Sequence, residues 1–230
     1  MNIMLQQLPT VLPALNEGFL QTLRLFAVTL LGALPLGLVV MAGRMSRFAP
    51  LRYLVQAVIW IVRGSPLMIQ LLILYYFPGL VLGQQLWGSG EAGRFAAAAV
   101  AFVLNYSCYF AEIYRGGLQA IPAGQKEAGR ALGLSRWQVF RHIQLAQMLR
   151  TVVPSLSNEV ITLVKDTALA RIIALQEIIW AGQSFLKGSR GISGAIWPLF
   201  FTALYYLAFS AVLTYGLGRL EKKCEWGAAG

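Results

Sequence analysis

Between Leu25 and Gly43 the chain carries no charged residue, a run long enough to cross a bilayer core of ~30 Å at a helical rise of ~1.5 Å per residue. Such runs recur. Leu54 to Gly83 is apolar apart from Arg63, with Gly64 and Pro66 just after it, and reads as a second span broken near its middle. Phe95 to Ala111 is a third. Thr151 to Val164 is a shorter fourth run, which reaches one bilayer thickness only by continuing past Lys165. Gly191 to Gly218 is uncharged and forms the fifth, with Trp197, Tyr205, Tyr206 and Tyr215 as interfacial anchors. Water is therefore not the main solvent. The composition agrees, with 57% hydrophobic and 12% charged residues and a mean hydropathy of +0.63, well short of the charge a soluble surface needs.

The expectation is an all-α integral membrane protein with about five transmembrane helices in one domain covering 1–230, with spans at about 20–43, 53–83, 94–115, 151–175 and 192–218. The basic residues orient it. Arg44, Arg47, Arg52, Arg115, Lys126, Arg130, Arg136, Arg141, Arg150, Arg219, Lys222 and Lys223 fall on one side, against Arg94, Lys187 and Arg190 on the other. Because Lys and Arg near spans stay cytoplasmic, the amino terminus lies outside and the carboxyl terminus inside. The net charge of +10 is thereby explained by topology, which leaves no call for a nucleic-acid partner. Cys108, inside an apolar run, and Cys224, in the charged tail, sit in settings that argue against a mutual disulfide. No basic region precedes a short apolar core at the amino terminus, which argues against a cleaved signal.

The loop at about 121–148, between spans three and four, is too long for a simple connection and too ordered in pattern for a linker. Ile121-Pro122-Ala123-Gly124 reads as a turn, Gln125 to Leu132 as a helix stopped by Gly133, and Ser135 as the cap of a second helix. Trp137, Phe140, Ile143 and Gln144 cluster towards one side of that second helix, with Arg136 and Arg141 at its edge. Basic residues with Trp suit either an interfacial helix on anionic lipid or a protein-docking element.

Spacing favours docking. Glu127-Ala128-Gly129, then three residues to Gly133, then nine to Ile143 and Leu145, resembles the signature loop of ABC importer permeases. Gly129 stands where that family usually has Ala, and Ala146 where it has Pro. Arg63-Gly64-Ser65-Pro66-Leu67, the stretch from Tyr109 to Gly117, and Lys165-Asp166-Thr167-Ala168-Leu169 are similar to segments of the polar amino acid branch, so the resemblance covers almost the whole chain. It implies import of a polar amino acid across a bacterial inner membrane. It also implies a cytoplasmic ABC ATPase dimer that holds the ATP and magnesium, a second permease chain, and an extracytoplasmic amino-acid-binding protein. No cofactor or metal is expected on this chain. ATPase coupling falls on Gln125, Glu127, Ala128, Gly133 and Arg136. Glu127 is placed either to accept a bond from a partner or to pair internally with Arg130.

Charges inside spans are costly and usually face a cavity or a partner, which singles out Arg63 and Glu159, each near mid-core by residue count. They are placed to pair with each other or to hold the ends of a zwitterion, with Arg63 also suited to the backbone groups freed at the Gly64–Pro66 break. The resemblance adds that Asn158-Glu159 matches a substrate-contacting position in basic amino acid permeases. Asn105, Ser107 and Tyr109 of span three, and Met68 and Gln70 of span two, are further substrate-binding candidates, although interhelical hydrogen bonding is the commoner fate of such groups. Lys165 and Asp166 read as structural, neutralising each other or neighbours at the end of the fourth helix, Glu112 and Arg115 as an internal pair, and Thr167 to Gly182 as a partly buried outer helix.

No Gly-x-x-x-x-Gly-Lys-Ser/Thr loop occurs, so ATP hydrolysis belongs to another chain. An odd number of spans does not divide into the repeats typical of a self-contained secondary carrier. The single histidine, His142, sits in the loop without a nucleophile motif, which argues against an intramembrane enzyme.

Overall fold

The computed structural model describes residues 2–88, 90–188 and 196–226, with side chains over 6–88, 90–188 and 196–224. Ser89, Arg190 and the expected start of span five at Gly191 lie outside the described residues. The elements are helices: α1 (Asn2–Arg44), α2 (Ala49–Gly64), α3 (Leu67–Leu80), α4 (Glu91–Gln119), α5 (Ala123–Ala131), α6 (Arg136–Val139), α7 (Leu145–Asp166), α8 (Ile178–Leu186) and α9 (Trp197–Trp226). A π-helical turn, Phe140–Gln144, joins α6 to α7, and a 3₁₀ segment, Thr167–Ile173, follows α7.

The first helix is far longer than the span read from hydropathy. Its 43 residues reach about 65 Å at 1.5 Å per residue, roughly twice a bilayer core, so its early turns overhang. Those turns are not idle. Val11, Ala14 and Leu15 pack with Ile178, Ala181 and Phe185 of α8 in a core of their own. The seam there is close: a Cβ on Gly18 would lie 2.9 Å from the Ile178 Cα, a backbone atom that cannot swing aside.

Helix directions follow from paired contacts. Gln21 meets Glu91, Gly32 meets Val103, Gly37 meets Phe110 and Arg44 meets Glu112, so α1 and α4 run parallel. Gly117 faces Met148 and Val152 while Tyr106 meets Asp166, so α7 runs against α4. Asn16 accepts from the Tyr205 hydroxyl and Phe26 packs on Phe209, so α9 runs with α1. The main core lies along the seam of α1, α4 and α7, around Leu25, Phe102, Phe110 and Leu163.

Hydropathy and length qualify α1, α4 and α9 as membrane spans, and α2 with α3 as a bent pair. Between those two helices the chain turns by 107°. Pro66 lacks the N–H to continue α2, and Ser65 is extended at φ −119° and ψ 147°, so the expected break is an elbow. The fourth run begins earlier and ends sooner than the 151–175 expected, as the 22-residue α7. It is too polar to qualify by hydropathy, since Ser155, Ser157, Asn158, Glu159, Lys165 and Asp166 all lie on it.

Two expectations beyond α7 need correcting. Thr167 to Gly182 is not one helix: the chain passes through the 3₁₀ segment, reverses at Ala174 with φ +58°, and restarts as α8. Glu177 is the reason for the restart, because its carboxylate accepts from the N–H groups of Ile179 and Trp180 at 2.8 Å each and caps the new helix. The second loop helix is likewise not separate, since α6 continues through the π turn into α7, a single rigid path from loop to span.

Candidate functional site

The elbow presents the carbonyls at the end of α2 without helical partners, and one side chain answers them. The Gln70 amide nitrogen donates to the Val62 carbonyl at 2.6 Å, the Ser65 carbonyl at 3.0 Å and Ser65 Oγ at 3.0 Å. Its oxygen accepts from Asn105 Nδ2 at 3.0 Å, which ties the elbow to the middle of α4. The donor at the break is thus Gln70, where Arg63 had been a contender. The reason is reach, because Gln70 lies one turn into α3 and points back over the gap. Asn105 is buried in that tie, and Ser107 is buried and donates to the Leu104 carbonyl at 2.8 Å.

Arg63 lies instead with its guanidinium 5.0 Å from the centre of the Tyr109 ring, a cation–π stack. Among the described residues the ion pairs are Arg115–Glu112 at 2.6 Å and Arg44–Glu112 at 3.8 Å. The first is the internal pair expected from sequence. Arg63 and Glu159 form no ion pair, and Arg63 lines a cavity with Tyr109 and Glu112 of α4. Arg63 therefore sits at the level of Tyr109, one helical turn from Glu112 along α4.

On α7, Thr151, Ser155, Asn158, Thr162 and Lys165 are exposed at spacings of three and four, and Glu159 borders that stripe half-buried. A polar stripe on a buried-length helix cannot face acyl chains at low cost, so it marks a wet or protein-covered face. Asp166, which had been read with Lys165, accepts from the Tyr106 hydroxyl at 2.7 Å, while Lys165 stays on the exposed stripe. Nothing in the sequence pattern pointed to Tyr106, whose partner lies 60 residues away. Met68 is 39% exposed on the elbow's open side. Glu159, Asn158, Arg63, Tyr109 and Met68 thus stay at least partly exposed, whereas Gln70 and Asn105 are engaged between helices and Ser107 within its own.

The loop between α4 and α7 has its own logic. Ser135 Oγ accepts from the Gln138 N–H at 3.3 Å and Gln138 Oε1 accepts from the Ser135 N–H at 2.8 Å, a full capping box of which only the Ser was foreseen. Gly133 adopts φ +77° and ends the α5 turn as expected. Gly129 is buried, and a Cβ there would lie 2.6 Å from Ile143 Cδ1 and 3.1 Å from Val139 Cγ2, so a glycine lets α5 close on the π turn. Gln125, Glu127, Ala128, Gly133 and Arg136 are all exposed on one structural unit. Glu127 is in neither ion pair. Trp137 does not join the buried side: it is 65% exposed and stacks on Phe140 at 5.7 Å, whereas Gln144 of the expected cluster is buried, together with Val139.

Long apolar helices, an elbow held by one amide, a polar stripe on α7 and an exposed hairpin between α4 and α7 fit a membrane-embedded transport subunit. Residues 33–225 match the family described as binding-protein-dependent transport system inner membrane component. The chain belongs to that family and is an inner-membrane permease subunit of an ABC importer, not a self-contained carrier. It is 33% identical over 215 residues to the glutamine transport system permease protein GlnP of Escherichia coli (strain K12), covering 93% of this chain and 94% of that one. With the arginine transport system permease protein ArtQ of Bacillus subtilis (strain 168) it shares 31% over 214 residues, at 93% and 94% coverage. A crystal structure of an amino acid ABC transporter with histidines superposes with a TM-score of 0.82 at 25% identity, covering 95% of this chain and 97% of that one.

Proposed function

We propose that this chain imports a polar amino acid along a path between α7, α4 and the α2–α3 elbow. Five crossings, with the amino terminus outside and the carboxyl terminus inside, agree with the alternating helix directions and with the basic residues at the inner ends of α1, α4 and α9. The observation that carries the reading is that two opposite charges, Glu159 beside the polar stripe of α7 and Arg63 stacked on Tyr109, stand without an ion pair between them. A zwitterion satisfies both: its ammonium on Glu159 with Asn158, and its carboxylate towards Arg63. Relatives named for glutamine and arginine support an amino acid as solute.

The chain works with a cytoplasmic ATPase dimer that holds ATP and magnesium, a second permease chain (a copy or a sister subunit), an extracytoplasmic amino-acid-binding protein, and the surrounding lipid. Gln125, Glu127, Ala128, Gly133 and Arg136 dock the ATPase. The continuous path from α6 through the π turn into α7 then carries ATPase movement directly to Glu159.

The test is copurification of tagged chain from native membranes, followed by ATPase assay with a panel of amino acids and the binding protein. A bound ATPase stimulated by one solute class is the expected result, with Glu127→Lys losing the ATPase and Glu159→Gln keeping it but losing stimulation. An ATPase that stays coupled in Glu127→Lys counts against the docking role, and normal uptake of every solute by Glu159→Gln removes that residue from the path.

A further inference from the structure

Between α2 and α4 lies a cavity of about 410 Å³, within the range of small-molecule sites, whose polar lining is Arg44, Gln56, Trp60, Arg63, Tyr109 and Glu112. The lining is unbalanced in one direction. Glu112 is its one acid, and both carboxylate oxygens are taken: Oε2 accepts from Arg115 Nε at 2.9 Å and Nη2 at 2.6 Å, and Oε1 faces Arg44 Nε at 3.8 Å. What remains is a set of donors, namely the Arg63 guanidinium, the Gln56 amide and the Trp60 indole N–H. Arg63 rests one face on the Tyr109 ring, and no hydrogen bond or ion pair to it is found among the described residues, so its N–H edges are left for a planar two-oxygen anion. Gly64 adds an open side, since a Cβ there would meet nothing within 4 Å.

We propose that this cavity is the carboxylate subsite of the transport path: the solute's α-carboxylate lies on Arg63, flanked by Gln56 and Trp60. Arg44 ends α1 and Glu112 sits near the inner end of α4, so the subsite is the last one before release to the cytoplasm. The solute leaves carboxylate first. This rests on the reading of the chain as an amino acid permease and adds Gln56 and Trp60 to the residues that hold the solute.

The experiment is equilibrium dialysis of the purified permease–ATPase complex, without nucleotide or binding protein, against the radiolabelled amino acid that best drives uptake and against its methyl ester. The free acid is expected to bind about tenfold or more tightly than the ester, the loss of one charge-assisted bidentate contact. Arg63→Gln should weaken the acid by a similar factor and leave the ester unchanged, Arg63→Lys should fall between, and Gln56→Leu should cost a few-fold. Equal binding of acid and ester to the unaltered complex overturns the subsite while leaving the permease reading intact. So does an Arg63→Gln complex that still prefers the acid. Failure of every amino acid to drive uptake by the unaltered complex would instead remove the reading on which the subsite rests. Should Arg63→Gln not assemble, Gln56→Leu and Trp60→Phe decide: undiminished acid preference in both sinks the proposal.

Discussion

Helices α4 and α9 are spans of nearly equal length and hydropathy, yet 61% of the most apolar stretch of α4 is buried within the chain against 6% of that of α9. The difference lies in side-chain size. Ala97, Ala98, Ala99 and Ala101 let α1, α3 and α7 approach the α4 backbone, whereas α9 turns Phe200, Leu204, Leu207, Val212 and Tyr215 outwards. In a bilayer the acyl chains are as apolar as leucine, so apolarity drives neither arrangement. Close backbone approach and interhelical hydrogen bonds do. The contrast makes α4 the central post of the chain and α9 its exposed outer wall.

The sharpest way to break that contrast is to crowd the post. A Cβ on Gly37 would lie 2.9 Å from the Phe110 Cβ and 3.2 Å from the Ser107 carbonyl oxygen, both on α4. Gly37→Leu should therefore cost about 1–3 kcal/mol or more, read as lost yield of inserted complex and a lower melting temperature in detergent. Unchanged stability would show that the seam yields and that α4 is no fixed post.

The next effect is at the elbow. Gln70→Leu leaves the Val62 and Ser65 carbonyls and the Asn105 amide without their present partner, at a cost of about 1–3 kcal/mol, and should lower both uptake and melting temperature. Asn105→Leu alone should do part of this, and the double variant should fall short of the sum because the two residues share one bond. Additive losses would mean that the elbow is not tied through this pair. The smallest effect is expected on the outer wall: Leu207→Ala on α9 should stay within about 0.5 kcal/mol of the original in melting temperature and uptake. A large loss there would reveal a second chain, not lipid, against that face.

Much of this was legible in the linear chain. Uncharged runs gave the helical membrane class, and basic loops an expected direction for each crossing, because lipid and membrane potential act on length and charge, which are local properties. Gly133, Ser135 and the Glu112–Arg115 pair were readable for the same reason, since a cap or an i,i+3 pair involves neighbours in sequence. The candidate site was only half legible. The sequence picked out Arg63 and Glu159 as charges out of place, but Gln70, Asn105 and Ser107 looked equally available to a solute until their partners were visible.

By itself, then, the sequence determined that the chain spans a membrane and which charges lie within its apolar runs. Tertiary structure alone decided that the second span bends by 107°, that Gln70 and not Arg63 closes the break, that Tyr106 holds Asp166, and that Arg63 lies over Tyr109 beside a cavity lined with free donors. The physical reason is range. A polar side chain in a membrane protein is committed to structure or left free for a ligand by partners 35 or 60 residues away, and no local pattern records which of them arrives.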